Sequence, residues 1–260
     1  MNVFVFVKRV PDTESRIKIQ ADGKSVVTEG LNFVLSPYDE YAVEEALRLK
    51  TANGGKVTVF TAGSDESLPV LRKCLAMGAD EAVLIKDAAG ETYDGLRTAR
   101  LIAAALHKKY SGFDLLLFGK QAVGTDNSQV PSMVAELLGL PQANVVVKLE
   151  IEGSSGTAYR EIEGAQEKVA FSLPAVISAQ KGLNEPRYET LKGIMAAKKK
   201  EIPVLTPEAL ELRPEDLAPG IEIARIDLPP VKLAGKVIAV EPQEAARQLV
   251  DFLRRDAKVI

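Results

Sequence analysis

The chain has 260 residues, 46% of them hydrophobic and 27% charged, the balance of an ordinary globular protein rather than a disordered, collagenous or disulfide-stapled one. Its 33 basic and 36 acidic residues leave a net charge of −3, so no global positive field draws it to nucleic acid. One cysteine (Cys74) and one histidine (His107) exclude an internal disulfide and a Cys-rich metal site, leave few groups for acid–base chemistry, and fit a reducing compartment.

The first 180 residues alternate apolar runs with amphipathic stretches, the pattern of a parallel sheet with helices on both faces. Val3 to Val7 is an unbroken β-prone run, expected to be a central strand covered on both sides. Ser36-Pro37-Tyr38-Asp39 combines an N-cap serine, a proline at the first helical position and an acid three residues later, so a helix starts there. Its apolar side is predicted at Tyr38, Tyr41, Ala42, Ala46 and Leu49, with Glu44, Glu45 and Arg48 toward water. Further strands are expected at Val57–Ala62, Ala82–Ile85 and Asp114–Phe118, with helices around Cys74 and from Tyr93 to Tyr110. From Val145 to Ala179 strand follows strand, and Gly153-Ser154-Ser155-Gly156 predicts an antiparallel hairpin, read as a sheet edge or extension. Beyond Gln180 come a polar loop, the run Lys198-Lys199-Lys200, and a stretch punctuated by Pro203, Pro207, Pro214, Pro219, Pro229 and Pro230. That stretch is expected to run extended over another surface rather than build a core. A final helix carries Ala245, Leu249, Phe252 and Leu253 on one face and calls for a docking partner.

In an open parallel sheet, ligands settle beyond the carboxyl ends of the strands, which nominates the loops at 8–15, 62–64 and 119–130. The last offers Gly119 and Gly124, then Asn127, Ser128 and Gln129 at a helix start, where free N–H groups favour a phosphate. Ordinary helix capping by Asn127 or Ser128 is the alternative. The loop lacks the lysine of a P-loop, and no GxGxxG follows any predicted strand, so neither phosphate hydrolysis nor the usual dinucleotide fingerprint is indicated. His107 is read as a surface residue at a helix end and Cys74 as core packing. The lysine run gives an acidic protein a local basic surface suited to an acidic partner. No run of residues is long and apolar enough for a membrane span, and no export signal is seen, so a cytoplasmic location without membrane insertion is expected.

Several strings then carry a family likeness: VKRVPD from Val7, SPYDE from Ser36, LAMGAD from Leu75, GKQA from Gly119 and, above all, LNEPRYETLKGIMAAKKK from Leu183 to Lys200. The chain resembles the β subunits of electron transfer flavoproteins. The resemblance implies an adenine-nucleotide α-hydrolase-like α/β domain over residues 1–202, holding a structural AMP and a partner-recognition loop at 183–195, and a C-terminal arm over 203–260 that packs on the α subunit. It implies a non-catalytic partner in a heterodimer whose α subunit holds most of the FAD. Electrons would come from acyl-CoA and related dehydrogenases, as in fatty acid oxidation, and go to a quinone-linked oxidoreductase.

Carried over by position, AMP contacts fall on Phe6, Ser36, Ala62 and Gly63 for the nucleoside and on Asp126, Ser128, Gln129 and Val130 for the phosphate. Positions near FAD fall on Thr13, which departs from the family's aromatic, and on Tyr38. Partner contacts fall on Tyr188, Leu191, Ile194, Met195 and Glu161, Leu191 being the anchor; for Glu161 an ordinary solvated hairpin carboxylate is the alternative. The resemblance assigns no metal. The Gln129-Val130 step resembles bifurcating members, in which a second FAD replaces AMP, whereas LNEPRY resembles the simpler respiratory type. AMP is the expected nucleotide and FAD the alternative. From another class, a stand-alone nucleotide-binding homodimer of the universal stress type shares the sheet plan.

Overall fold

The computed structural model describes residues 1–87, 94–231 and 234–260. In chain order the elements are β1 (Asn2–Phe6), β2 (Arg9–Pro11), β3 (Phe33–Leu35), α1 (Pro37–Asn53), β4 (Lys56–Gly63), α2 (Leu68–Met77), β5 (Glu81–Lys86), α3 (Gly95–Lys108), β6 (Leu115–Gly119) and α4 (Val130–Leu138). Then follow β7 (Gln142–Glu152), β8 (Ser155–Ile162), β9 (Ala165–Ser172), β10 (Ala175–Ala179), α5 (Leu191–Lys199), β11 (Val204–Leu205) and α6 (Pro242–Arg255). The expected helix start at Tyr93 lies outside the described residues.

One open nine-stranded sheet has the order β11-β5-β4-β1-β6-β10-β7-β8-β9, and β2 pairs with β3 in a small separate ribbon. Every pairing from β11 to β7 is parallel, and β8 and β9 add on in antiparallel fashion. The period-2 alternation of β1 explains the three layers: Val3 and Val5 pack with α1 and α2, while Phe4 and Phe6 pack with α3 and α4. Both faces of the sheet are therefore buried at β1, as the apolar run predicts.

Three expectations need correction. The strand series after Val145 is not all hairpin at an edge: β10 inserts between β6 and β7 and is parallel to both. The first half of β7 pairs with β10 and its second half with β8, the changeover falling where Val145 takes φ 63° and the register slips between Val146 and Lys148. The proline-rich stretch does contribute to the core, since β11 extends the sheet beside β5 and Leu210 and Leu217 are buried on the α3 side. Short apolar pairs between prolines suffice there because the sheet edge supplies the missing hydrogen bonds; a 3-10 turn over Pro214–Leu217 follows, and among the described residues no regular element then comes before α6. Lastly, Glu44 and Glu45 do not face water: they are 4% and 7% exposed, for reasons that involve the LNEPRY loop.

Asp39 also departs from its expected role. A capping-box acid would reach back to the N-cap N–H, and the Ser36 hydroxyl would cap the helix, but Ser36 makes no side-chain cap and its Oγ is buried without a partner. The Asp39 carboxylate instead accepts from the backbone N–H of Lys8 (2.7 Å to Oδ2) and of Gly119 (3.0 Å to Oδ1). It thereby ties the ends of β1 and β6 to the first turn of α1. The fit leaves no room at Gly119, where a Cβ would stand 2.3 Å from Asp39 Oδ1 and 2.7 Å from the backbone N of Asp39.

Two outcomes are expected. Gly119→Ala should cost about 3 kcal/mol or more in chemical denaturation, because backbone as well as a side chain must shift. Burial pushes the Asp39 carboxyl from 3.8 up to about 7, against the two N–H donors. The folded chain then holds a proton that the unfolded chain releases, so the stability due to this group is full below pH 3.8 and lost as pH rises through about 7. The stability of the protein relative to Asp39→Asn should fall across that window by at most about 1.4 kcal/mol per pH unit, and a pH-independent difference would contradict this reading.

Candidate functional site

Strand order reverses at β1: the chain builds outward through β4 and β5 on one side, then crosses to β6 on the other. A crevice opens at the carboxyl ends of these strands, as the switch-point rule requires. Its floor is aromatic: Phe6 lies between Phe118 (centroids 4.6 Å apart, planes 13° apart) and Phe60 (5.2 Å, 21°), with Ile102 beside them. Ala62, Gly63 and Ser67 form one wall. Lys8, Arg9 and Lys120 bring positive charge to it, and Asp39, Asp87 and Asp94 bring carboxylates.

The opposite wall is the loop from Gln121 to Val130. Gln121 is its hub, donating from Nε2 to Asp126 Oδ1 (2.6 Å) and accepting at Oε1 from the Ser128 hydroxyl (3.0 Å). Gly124, Asp126 and Ser128 all have positive φ (95°, 47° and 51°), and Gln129 returns to the right-handed region as the N-cap of α4. Alternating hands of this kind turn successive N–H groups to the same side and form a concavity for an anion. Non-glycine residues held at positive φ concentrate at such sites. The capping alternative for Asn127 and Ser128 does not describe them: Gln129 occupies the N-cap, and no side chain caps the helix there. The first turn of α4, with Pro131 near its start, thus keeps its N–H groups and dipole for something outside the protein. A ligand with a flat apolar ring at one end and an anion at the other suits this crevice.

The structure brings Phe6, Ala62, Gly63, Ser128, Gln129 and Val130 together around the crevice. Ser36 and Asp126 are not among the lining residues: Ser36 is buried, and Asp126 is an exposed hydrogen-bond support of the loop. Thr13 lines a second cavity of about 500 Å³, which shares Lys8, Arg9 and Thr125 with the first and is also lined by Ile223, Arg225 and Ile226. Tyr38 lines neither; its ring lies 5.9 Å from the Lys120 ammonium. His107 is exposed in the last turn of α3, and Cys74 is fully buried, where burial pushes its thiol up and out of reach of nucleophilic chemistry.

Sequence reasoning missed the acids behind the crevice. Arg97 on α3 is buried and grips Asp87 through Nη2 (2.6 Å) and Nε (3.0 Å), while its Nη1 donates to the Leu217 carbonyl. Asp94 caps α3 by accepting from the N–H of Leu96 (2.9 Å) and Arg97 (3.2 Å), and its Oδ2 accepts from the N–H of Gly220 (2.6 Å). Burial works against its charge, but these donors hold the Asp94 carboxyl below the usual range. The crevice wall and the root of the C-terminal arm therefore share one carboxylate. An aspartate just ahead of a helical run is a legible cap signal; nothing local foretells Arg97.

Two surfaces away from the crevice bear the remaining candidates. Tyr188, Leu191 and Met195 are 93%, 84% and 61% exposed around the start of α5, whereas Ile194 turns inward against the core. Glu161 stands exposed on β8. The lysine run divides: Lys198 and Lys199 are exposed, but the Lys200 ammonium donates to the carbonyls of Ala79 (3.0 Å) and Asp80 (2.7 Å). At the far end, α6 has no buried residue and leaves Leu249, Val250 and Phe252 open. Among the described residues no helix is long and apolar enough to cross a membrane.

Residues 24–210 match the family model of the electron transfer flavoprotein domain. The chain is 44% identical over 261 residues to the electron transfer flavoprotein subunit beta of Bacillus subtilis (strain 168), with 100% of both chains covered. It is 40% identical to the subunit of the same name from Syntrophomonas wolfei, covering 100% of this chain and 98% of the other, and 37% identical to that of Mycobacterium tuberculosis, covering 97% of each. With the open, largely parallel sheet and its crevice, end-to-end similarity of this order settles the family: the chain belongs to the electron transfer flavoproteins, among their β subunits.

Proposed function

We propose that this chain is the β half of a heterodimer that carries electrons, with the FAD held mainly by an α subunit and an AMP held structurally in the crevice of this one. The observation that carries the reading is α6: an amphipathic helix with an uncovered apolar face, at the end of a segment in which the described residues between 218 and 241 form no regular element. Such a face needs a cover, and the α subunit supplies one. The FAD supplies the redox chemistry; this chain's residues bind, orient and exclude water.

The crevice fits AMP by its chemistry. The stacked phenylalanines of the floor suit an adenine ring, the buried Ser36 hydroxyl has no partner among the described residues, and the uncapped α4 terminus with the alternating-hand loop suits a phosphate. Among the described residues no group of three or more His, Cys, Asp or Glu is arranged to hold a metal. In this reading the Tyr188–Leu191–Met195 face docks acyl-CoA and related dehydrogenases in the cytoplasm, and a quinone-linked oxidoreductase takes the electrons onward. Glu161 faces the part of the partner that carries the flavin. A second reading, FAD in place of AMP, is favoured by the 500 Å³ cavity that adjoins the crevice through Lys8, Arg9 and Thr125. The universal-stress homodimer lapses with the family assignment.

The test is to purify the chain with its co-expressed partner, denature the complex and count nucleotides. One FAD and one AMP per heterodimer support the main reading; two FAD support the second; a colourless assembly of this chain alone overturns both. Leu191→Ala should raise the KM for this protein in a dehydrogenase-coupled assay by roughly thirtyfold, the effect of losing a hot spot, at unchanged flavin content. Unchanged coupling would reject the docking role of that face.

A further inference from the structure

The sequence pattern places Glu44 and Glu45 toward water, yet both carboxylates are buried under the loop that precedes α5. Arg187 clamps Glu44 three times: its backbone N–H donates to Oε2 (3.1 Å), Nε to Oε2 (2.7 Å) and Nη2 to Oε1 (2.9 Å). Arg48 adds a fourth donor one turn along α1. Burial disfavours the Glu44 charge, but the Arg187 fork and N–H outweigh it and hold the carboxyl below its usual range. Next to it, Asn184 donates from Nδ2 to Glu45 Oε2 (2.9 Å) and to the Tyr41 carbonyl (3.0 Å).

Beyond the loop, α5 is fixed equally firmly. Thr190 caps it by accepting from the Gly193 N–H (3.0 Å), and Gly193 lies so close to α2 that a Cβ there would stand 2.2 Å from the Ala76 carbonyl oxygen. At its far end, the Arg72 guanidinium donates to the carbonyls of Ala197 and Lys200. The three large exposed side chains, Tyr188, Leu191 and Met195, stand between these two anchorages.

We propose that Arg187 and Asn184, acting through the buried Glu44 and Glu45, are positioning residues that hold the Tyr188–Leu191–Met195 face at a fixed height and rotation on α1, ready for its partner. The proposal rests on the reading of that face as the dehydrogenase docking surface and names what pre-organises it. A loop already held in its docking conformation loses little conformational freedom on association, so releasing it weakens binding without touching the contact residues. Lysine cannot replace Arg187 fully, because a point charge does not reproduce the two-pronged grip on Glu44.

The experiment compares Arg187→Ala and Leu191→Ala, singly and together, in the purified heterodimer with an electron-donating dehydrogenase. Arg187→Ala should raise KM about tenfold with kcat and flavin content unchanged, and should speed hydrogen exchange at the amides of residues 187–193. In the double variant the effects should be less than multiplicative, because an unanchored loop no longer presents Leu191. Arg187→Lys keeps the charge but not the two-pronged grip on Glu44; it should raise KM roughly threefold and serves if Arg187→Ala does not fold. If Leu191→Ala raises KM while both Arg187 variants leave KM and exchange unchanged, the positioning role is overturned and the docking surface stands. If Leu191→Ala itself has no effect, the docking reading fails and the positioning role fails with it.

Discussion

The Asp39 carboxylate is the constraint on which the architecture turns. It sits in the first turn of α1 and accepts N–H groups from the loop after β1 and from the end of β6, the two neighbouring strands from which the crevice opens. Backbone N–H groups buried at strand ends need acceptors, and a helix N-terminus is a favourable place for a carboxylate. A single side chain meets both needs and sets the crevice floor, the Gly119 approach and the pitch of α1 together. Because Glu44 and Glu45 lie on the same helix one to two turns on, the loop ahead of α5 inherits its position from the same attachment.

Much of this fold is legible in the sequence because its strands are buried on both faces. Val3 to Phe6 and Leu115 to Phe118 are unbroken apolar runs, which only doubly covered strands require, and Ser36-Pro37 announces α1 one residue ahead of it. The sheet order is not legible. Ala175–Ala179 and Gln142–Glu152 are both β-prone, and nothing local says that the later strand slides between the earlier one and β6. The error at Glu44 and Glu45 has the same root. A helical wheel sorts residues by polarity, and a carboxylate buried beneath a distant arginine looks identical to a solvated one.

The crevice was partly legible for a similar reason. Glycines and small polar residues between Gly119 and Val130 mark a loop with unusual backbone demands, and positive φ at Gly124, Asp126 and Ser128 bears that out. The family resemblance drew attention to the contact positions but not to their supports. Asp87, Asp94 and Arg97 are separated by short sequence distances, yet their partners Leu217 and Gly220 lie more than a hundred residues on. Such long-range side-chain-to-backbone bonds leave no periodicity to read.

These acids share a logic that bears on what the protein does. Asp39, Glu44, Glu45, Asp87 and Asp94 are all buried; four of them accept from a remote stretch of chain, and Asp87 is held by the nearby Arg97, which itself reaches the Leu217 carbonyl. Burying an ion pair seldom adds much net stability over an apolar pair of the same shape, but removing one partner costs several kcal/mol, so such pairs penalise every wrong arrangement more than they reward the right one. Here Glu44 and Glu45 sit beneath the loop that offers Leu191, and Asp94 joins the crevice wall to the segment that leads to α6. The buried acids thus fix the relative positions of three surfaces: the crevice, the exposed face around Leu191 and the segment that leads to α6. A subunit of an electron transfer flavoprotein works with other chains, and on the proposed reading those partners meet the three surfaces in a constant geometry.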